Sequence, residues 1–240
     1  MKNMIAKYCK ELRLGNVLVE NYQKIETTNN EEFLLNLLKI AVDERKNNRK
    51  NRLLKQANFD MIKTFENYII DDISFPNTTN ITELKNISFL SKNENLVFYG
   101  AVGTGKTHLA TAIGVNACNK GKKVKFYKIS ALVNDLVEAQ KKEALNGFLR
   151  KLQKLDLLIC DEWGYIPLDT NGAQLLFQVI ADCYEKRSVI ITTNLEFAKW
   201  NTIFYDEKLT SAIIDRIIHH SHLLVFSGES YRVKHAMLNL

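Results

Sequence analysis

The chain has 240 residues, 46% of them hydrophobic, and its 33 basic and 27 acidic residues give a formal net charge of +6. This length and apolar content are enough for a complete α/β core with a small second domain. No apolar run approaches the roughly 18–20 residues of a membrane-spanning helix, and the first residues lack the apolar core of a signal peptide. A membrane or secreted protein is therefore not expected, and the basic surplus favours a polyanion, nucleic acid above all, as the partner.

The cysteines indicate the compartment. The four are Cys9, Cys118, Cys160 and Cys183. They are widely spaced and form no C-x-x-C pair, so we expect reduced thiols rather than a disulfide or zinc framework. A cytoplasmic protein is therefore expected.

The first part of the chain is predicted to be helical. A short helix is expected around Ile5–Leu14, and a long one over Glu31–Phe59, where apolar residues recur at helical spacing. The segment Asp71–Asn80 is turn-rich and contains a proline, which is typical of a domain junction. We therefore predict a small helical N-terminal domain, residues 1–75, and a second domain, residues 76–240.

The second domain alternates short apolar strands with helices. The predicted strands are Leu96–Tyr99, Val124–Tyr127, Leu155–Cys160, Val189–Thr193 and Leu223–Phe226. The predicted helices are Thr107–Asn119, Ser130–Gln140, Gly172–Glu185 and Lys208–His219. Most of the strands lack polar alternation, as expected when both faces of a sheet are covered, and the helices supply the crossovers that parallel strands require. The pattern predicts an α/β fold with a five-stranded parallel sheet.

A phosphate-binding loop follows the first strand. Its residues are Gly100, Ala101, Val102, Gly103, Thr104, Gly105, Lys106 and Thr107. The glycines let backbone N–H groups turn inward around phosphates, and the start of the next helix presents unpaired N–H donors. Lys106 is expected to reach the β- and γ-phosphates of a nucleoside triphosphate, and the Thr107 hydroxyl to bind Mg²⁺. An ordinary Gly-rich turn before a helix is the alternative.

Acidic and amide side chains end two later strands. Asp161 and Glu162 follow one strand and Asn194 follows the next, at the carboxyl edge where ligands bind in open α/β sheets. Asp161 is expected to hold Mg²⁺, and Glu162 to polarise the water that attacks the γ-phosphate. Asn194 is a candidate to hold that water or the γ-phosphate. The alternatives are a solvated acidic loop and an ordinary turn asparagine.

Phosphoryl transfer also favours an arginine near the transition state, because the guanidinium is planar and always charged. Arg216, on a late predicted helix, is a candidate to face the nucleotide of a neighbouring subunit. Arg232, just beyond the last strand, is a candidate to face the nucleotide of its own subunit. A surface ion pair is the alternative for each.

Together these motifs resemble those of a known family. The strings G-x-x-G-x-G-K-T-H, D-E-W-G-Y-I-P-L-D, T-T-N, A-I-I-D-R-I-I-H-H and G-E-S-Y-R occur in this order. Over about Tyr99 to Arg232 the chain resembles the IstB transposition helpers, which are AAA+ ATPases close to DnaC-type helicase loaders. The resemblance implies an AAA+ P-loop NTPase core and adds His108 to the nucleotide-binding residues. Too few residues follow Asn194 for the C-terminal helical lid of many AAA+ proteins, so no lid is expected.

The resemblance also implies roles for the matching residues. Lys106 and Thr107 match the phosphate loop of the family, Asp161 and Glu162 its Walker B motif, Asn194 its sensor, Arg216 its trans-acting arginine finger and Arg232 its second sensor. Two positions depart from the family pattern. Ala101-Val102 replaces the usual proline pair, which costs rigidity but no N–H donor, and Leu195 replaces a basic residue.

The function implied by the resemblance is that of a transposition helper. Such an ATPase uses ATP and Mg²⁺, assembles as a homo-oligomer on duplex DNA, marks the target and stimulates an insertion-sequence transposase, which in turn triggers hydrolysis. A replicative helicase loader with the same core is the closest alternative. A non-catalytic, nucleotide-switched DNA-binding scaffold, in which Glu162 is unused, is an alternative of another class.

Basic residues suggest where DNA would bind. The long predicted helix carries a run without acidic residues, in which Arg45, Arg49 and Arg52 share one face. The whole run is Arg45, Lys46, Arg49, Lys50, Arg52 and Lys55. A solvated helix face is the alternative, and the groups Lys120–Lys125 and Lys141–Lys142 are weaker candidates.

Three histidines near the end of the last predicted helix suggest a metal site. They are His219, His220 and His222. No cysteine, and no carboxylate at a clear ligand spacing, completes a zinc site in the sequence, so we interpret them as ordinary residues at a helix end.

Overall fold

The computed structural model of the protein describes residues 1–66, 68–165, 167–204 and 206–234, except for the side chain of Arg232. The chain forms two compact units, Met1–Arg52 and Leu53–Leu240. The helices are α1 (Lys2–Glu11), α2 (Asn16–Asn21), α3 (Asn30–Ala57), α4 (Ile81–Asn86), α5 (Lys106–Asn119), α6 (Ile129–Lys141), α7 (Leu145–Leu152), α8 (Thr170–Cys183), α9 (Asn201–Phe204), α10 (Glu207–Ile218) and α11 (Tyr231–Lys234). The strands are β1 (Ile73–Ser74), β2 (Asn95–Gly100), β3 (Val124–Lys128), β4 (Leu157–Trp163), β5 (Ser188–Thr193) and β6 (Ser221–Phe226).

Helices α1, α2 and most of α3 make up the first unit. The side-chain oxygen of Asn29 accepts a hydrogen bond from the amide of Glu32 at 2.7 Å, which caps the start of α3. α3 ends at Ala57, and Asn58 then adopts the left-handed φ of 58° that commonly terminates a helix. Both helices predicted in this part of the chain are confirmed, with ends shifted by a few residues. In the described part of the chain, no helix is both long and apolar enough to span a bilayer.

The second unit is built on one sheet with the strand order β1-β6-β2-β5-β4-β3. The five predicted strands are present and pair in parallel. The predicted number of strands was wrong, because β1 adds a sixth strand, antiparallel to β6. β1 has two residues, too few to produce a recognisable pattern in the sequence.

The sheet is covered on both faces, which explains its uninterrupted apolar strands. Leu158 and Cys160 of β4 belong to one buried cluster, and Leu157 and Ile159 to the other, because successive residues of a strand point to opposite faces. Helices α6, α7, α8 and α10 contribute to the first cluster and α5 to the second. Helix α7 was not predicted, although its apolar residues have helical spacing, because it is short.

The second unit begins earlier than the predicted domain boundary. Residues 53–75 were assigned to the N-terminal domain, residues 1–75, yet they pack with the sheet. Leu53 and Ala57 are buried in its second cluster, and Tyr68 lies against that cluster. The boundary between the compact units therefore lies between Arg52 and Leu53, whereas the predicted boundary lies between residues 75 and 76. The expected absence of a C-terminal helical lid stays a prediction, since the described residues end at 234.

Candidate functional site

The sheet brings the candidate residues to one edge. The carboxyl ends of β2, β4 and β5 carry the phosphate loop, the Asp161–Glu162 pair and Asn194, respectively. In the sheet, β5 lies between β2 and β4, so all three segments are neighbours. Ligands of open α/β sheets bind at this edge, in the crevice where the strand order reverses.

The phosphate loop joins β2 to α5 through glycines in left-handed conformations. Gly103 has a φ of 84° and Gly105 a φ of 92°, which residues with a side chain rarely adopt. A Cβ at Gly103 would lie 2.1 Å from Oγ of Ser230. The amide of Tyr231 donates a hydrogen bond to the Gly103 carbonyl oxygen at 3.0 Å. The segment after β6 therefore packs directly on the loop.

Lys106 opens α5, and its ammonium lies inside the loop. The side chain is buried, and its Nζ donates to the carbonyl oxygens of Gly100 at 2.8 Å and Ala101 at 2.6 Å. The hydroxyl of Thr104 donates to the same Ala101 oxygen at 2.8 Å. These bonds bring a positive charge and the first amides of α5 to one place, as the binding of a phosphate requires.

Asp161 joins the loop to the strands behind it. Its carboxylate is buried and accepts hydrogen bonds from the hydroxyl of Thr107, at 2.9 and 3.1 Å, and from the hydroxyl of Thr192. Burial raises the pKa of Asp161, and the two hydroxyl donors oppose that rise. Oxygen atoms from Thr107 and Asp161, which suit a hard cation, therefore lie together beside the loop.

Strand β4 is irregular at Glu162. Its pairing with β5 shifts register between Cys160 and Trp163, and Glu162 has a left-handed φ of 60°. The Glu162 amide donates to Thr192 Oγ1 at 3.1 Å. Its Oε1 lies 3.1 Å from Nζ of Lys128, and this hydrogen bond raises the pKa of Lys128. Bulges and left-handed non-glycine residues re-aim side chains and cluster at functional sites.

Asn194 presents a buried oxygen at the end of β5. Among the described residues, its Oδ1 has no hydrogen-bond partner. The turn around it is nevertheless fixed, because Thr193 Oγ1 donates to the Trp163 carbonyl oxygen at 2.8 Å and accepts from the Leu195 amide at 3.0 Å. Leaving a buried acceptor unpaired is costly, which makes this oxygen a candidate contact for a bound group.

Tyr68 and His108 lie beside the loop. The Tyr68 hydroxyl donates a hydrogen bond to the Gly105 carbonyl oxygen at 3.1 Å. The Tyr68 ring centroid is 4.8 Å from that of His108. The His108 Nε2 is 3.0 Å from the carbonyl oxygen of Thr64. Burial raises the pKa of the Tyr68 hydroxyl, which therefore keeps its proton and its role as a donor.

Sequence reasoning missed three residues of this site. Lys128 ends β3 at the same sheet edge, so the rule that identified Asp161 would also have found it. Thr192 lies inside the T-T-N motif, where only the asparagine was considered. No sequence motif marked Tyr68 as a site residue, because it reaches the loop from a segment distant in sequence.

The two predicted arginines lie on α10 and α11. Arg216 lies on α10, where it donates to the Ala212 carbonyl oxygen at 2.9 Å and its guanidinium is 5.0 Å from the ring centroid of Phe177. This cation–π contact holds the side chain against α8. The side chain of Arg232 lies outside the described residues, and only its position in α11 is known.

The basic run lies at the surface of α3. All of its residues are exposed: Arg45, Lys46, Arg49, Lys50, Arg52 and Lys55. Within the first unit, Arg45 donates to the Arg13 carbonyl oxygen at 3.4 Å, and Lys46 is 3.8 Å from Asp43. Exposed contacts of this length are weak, so these charges remain accessible.

Comparison with known families and relatives gives one consistent result. The family described as "IstB-like ATP binding protein" matches residues 9–239. The chain is 39% identical, over 203 residues, to the "Insertion sequence IS232 putative ATP-binding protein" of Bacillus thuringiensis subsp. berliner, covering 85% of this chain and 81% of the relative. It is 37% identical to the "Insertion sequence IS5376 putative ATP-binding protein" of Geobacillus stearothermophilus, covering 99% of this chain and 97% of the relative.

Solved structures show the fold class. The structure "Replication initiator DnaA bound to AMPPCP and single-stranded DNA" matches 73% of this chain and 54% of its own, with a TM-score of 0.57 and 23% identity. The "Crystal structure of the DnaC helicase loader" matches 73% of this chain and 98% of its own, with a TM-score of 0.53 and 23% identity. The chain therefore has an α/β fold with a mostly parallel sheet that resembles these AAA+ proteins.

The loop geometry predicts opposite effects for two Gly→Ala substitutions. Gly103→Ala should lower the free energy of unfolding by about 1–3 kcal/mol, because it places a side chain in a left-handed conformation and against Ser230. Gly147→Ala is the matched control, since its Cβ would meet no atom within 4 Å on α7, and should raise that free energy by about 0.5–1 kcal/mol. Urea unfolding followed by circular dichroism measures both. Equal stability changes in the two variants would contradict the described loop.

Proposed function

Because the chain belongs to the IstB-like ATP binding protein family, we propose that it is a Mg²⁺-dependent ATPase that assembles on duplex DNA and assists the transposase of an insertion sequence. The observation that carries the catalytic part is the contact between the Thr107 hydroxyl and the Asp161 carboxylate beside a phosphate loop. It joins a phosphate-binding element to a carboxylate at the carboxyl edge of the sheet.

These residues fit a bound Mg²⁺ ion. The Thr107 hydroxyl and the Asp161 carboxylate supply the oxygen donors that Mg²⁺ prefers, and Lys106 supplies charge for the β- and γ-phosphates. Mg²⁺ would neutralise charge that develops on the phosphate oxygens. The hydrogen bond from the Thr192 hydroxyl helps to fix the orientation of Asp161.

Glu162 and Asn194 are proposed to act on the attacking water. The bulge in β4 turns Glu162 out of the regular strand, where its carboxylate can accept a proton from water. The unpaired Oδ1 of Asn194 is an acceptor for a second hydrogen bond from that water. Lys128 Nζ lies 3.1 Å from the Glu162 carboxylate and holds it in position.

Assembly on DNA is proposed from charge and from the relatives. The relatives are named as insertion-sequence proteins, which favours a transposase over a replicative helicase as the partner. The net charge of +6 and the exposed basic run on α3 favour a polyanion. Arg216, whose contacts are within α10 and with α8, is proposed to reach the nucleotide of a neighbouring subunit.

Two substitutions separate nucleotide binding from hydrolysis. Lys106→Ala should abolish ATP binding, because the ammonium supplies charge to the bound phosphates. Glu162→Gln should keep ATP binding and slow turnover by about 10²–10⁴-fold, because it removes the base that acts on water. Binding is measured with a fluorescent ATP analogue and turnover by phosphate release, with and without duplex DNA. Equal loss of binding in both variants, or full turnover in Glu162→Gln, would exclude the role given to Glu162. No turnover by the wild type, with or without DNA, would favour a non-catalytic scaffold.

Mixed oligomers test whether Arg216 acts across a subunit boundary. Arg216→Ala and Lys106→Ala proteins should each lack ATPase activity, and mixing them should restore part of it, since some interfaces then combine an intact loop with an intact arginine. Activity is measured across mixing ratios, and mixed assembly is checked by pull-down of one tagged variant. If mixed oligomers form and no ratio restores turnover, Arg216 does not act in trans.

A salt titration tests the DNA-binding surface. Affinity for duplex DNA should fall linearly on a log–log plot against salt, with a slope of about −0.9 for each phosphate neutralised. Changing Arg45, Arg49 and Arg52 to Glu should weaken binding to two unrelated duplexes alike and flatten the slope, because phosphate contacts carry no sequence information.

The matched control changes Lys120, Lys122 and Lys123 to Glu, which alters the net charge equally and should leave the slope near that of the wild type. The reverse result would move the DNA site to that group. No duplex binding by the wild type with ATP or ADP would remove the DNA part of the proposal and favour a helicase loader.

A further inference from the structure

A second cluster of ligand-type side chains lies at the opposite edge of the sheet. Glu185 follows α8, and His219 and His220 follow α10, close to the amino ends of β5 and β6. One possible ligand atom from each residue lies within 4.8 Å of those of the other two, and among the described residues this is the only such group of three. The phosphate loop lies at the carboxyl edge, so the two sites are separate.

We propose that Glu185, His219 and His220 form a binding site for a divalent transition-metal ion of the Zn²⁺ type. Two imidazoles and one carboxylate are a ligand set that Zn²⁺ accepts, and the ion would complete a tetrahedral shell with water. The His219 and His220 ring centroids are 4.2 Å apart, and His220 Nε2 is 3.3 Å from Glu185 Oε1. Small rotations of exposed side chains are enough to bring these atoms around one ion.

Tyr184 orients one of the histidines. Its hydroxyl oxygen is 2.9 Å from Nδ1 of His219. When Nδ1 donates its proton to that oxygen, Nε2 carries the lone pair that binds metal. Contacts of this kind, which fix the ring and the tautomer, accompany most metal-binding histidines.

The backbone around the cluster also favours a cation. The C-terminal ends of α8 and α10 meet there, and each brings the negative end of a helix dipole. Glu185 is held in place, because its carbonyl oxygen accepts a hydrogen bond from Asn93 Nδ2 at 3.0 Å. The backbone that carries the Glu185 carboxylate is therefore fixed.

Among the described residues, His222 and the cysteines are not available as Zn²⁺ ligands. Both ring nitrogens of His222 have partners, Thr78 Oγ1 at 2.8 Å and Glu94 Oε2 at 3.0 Å. All four cysteines are buried, so their thiols do not compete in the folded protein. Zn²⁺ is therefore expected to bind at one site for each chain.

The test is a Zn²⁺ titration of the full chain without a histidine tag or nucleotide, after treatment with a chelator and its removal. Competition with a chromophoric chelator should give one Zn²⁺ for each chain, undisturbed by excess Mg²⁺. His219→Ala, His220→Ala and Glu185→Gln should each weaken binding by about 10-fold or more, and Tyr184→Phe by less. His108→Ala, which changes a histidine beside the phosphate loop, is the control and should bind Zn²⁺ like the wild type.

Two further measurements separate metal binding from a folding defect. Zn²⁺ should raise the unfolding temperature of the wild type and leave that of the His219→Ala/His220→Ala double variant unchanged, because only a ligand of the folded state stabilises it. Co²⁺ should give the intense visible bands of tetrahedral coordination in the wild type only. Unchanged Zn²⁺ affinity in a folded double variant, or no stoichiometric binding by the wild type, would overturn the proposal and leave only a hydrogen bond between His220 and Glu185.

Discussion

The candidate site depends on one buried carboxylate and the two hydroxyls that bind it. A carboxylate removed from water must find hydrogen-bond donors or lose its charge. Asp161 finds them in Thr107 at the start of α5 and in Thr192 near the end of β5. Three elements that are distant in sequence are therefore fixed to one another at a single group.

Thr192 has a second role, because its hydroxyl oxygen also accepts the amide hydrogen of Glu162. That bond stabilises the bulge in β4 and the left-handed conformation of Glu162. Residues other than glycine adopt this conformation only with backbone strain. The strain is tolerated because neighbouring strands over-determine the backbone there. One hydroxyl thus sets the position of both carboxylates, one inside the site and one turned toward Lys128.

The sequence was most informative where function needs consecutive residues. The phosphate loop requires particular residues at adjacent positions, and the apolar runs of β2, β4 and β5 reveal a sheet buried on both faces. Because parallel strands have their carboxyl ends at one edge of the sheet, Asp161, Glu162 and Asn194 could be placed together without a structure.

Contacts between distant segments were not predictable in the same way. Tyr68 reaches the loop from a segment without a recognisable motif, and residues 53–75 join the sheet through scattered apolar side chains. Glu185 lies far from His219 in the sequence, so spacing alone did not indicate a metal site. Only the packing of α8 beside α10 brings these ligands together.

The role of the Thr192 hydroxyl can be decided by measuring ATP turnover in two variants. Thr192→Ser keeps the hydroxyl and should hydrolyse ATP at close to the wild-type rate. Thr192→Val has a similar volume without the hydroxyl. It should remain folded and bind nucleotide but lose turnover by about 10²-fold or more, since the Asp161 carboxylate and the Glu162 amide lose their common partner. Turnover by Thr192→Val at the wild-type rate would show that this hydroxyl does not organise the site.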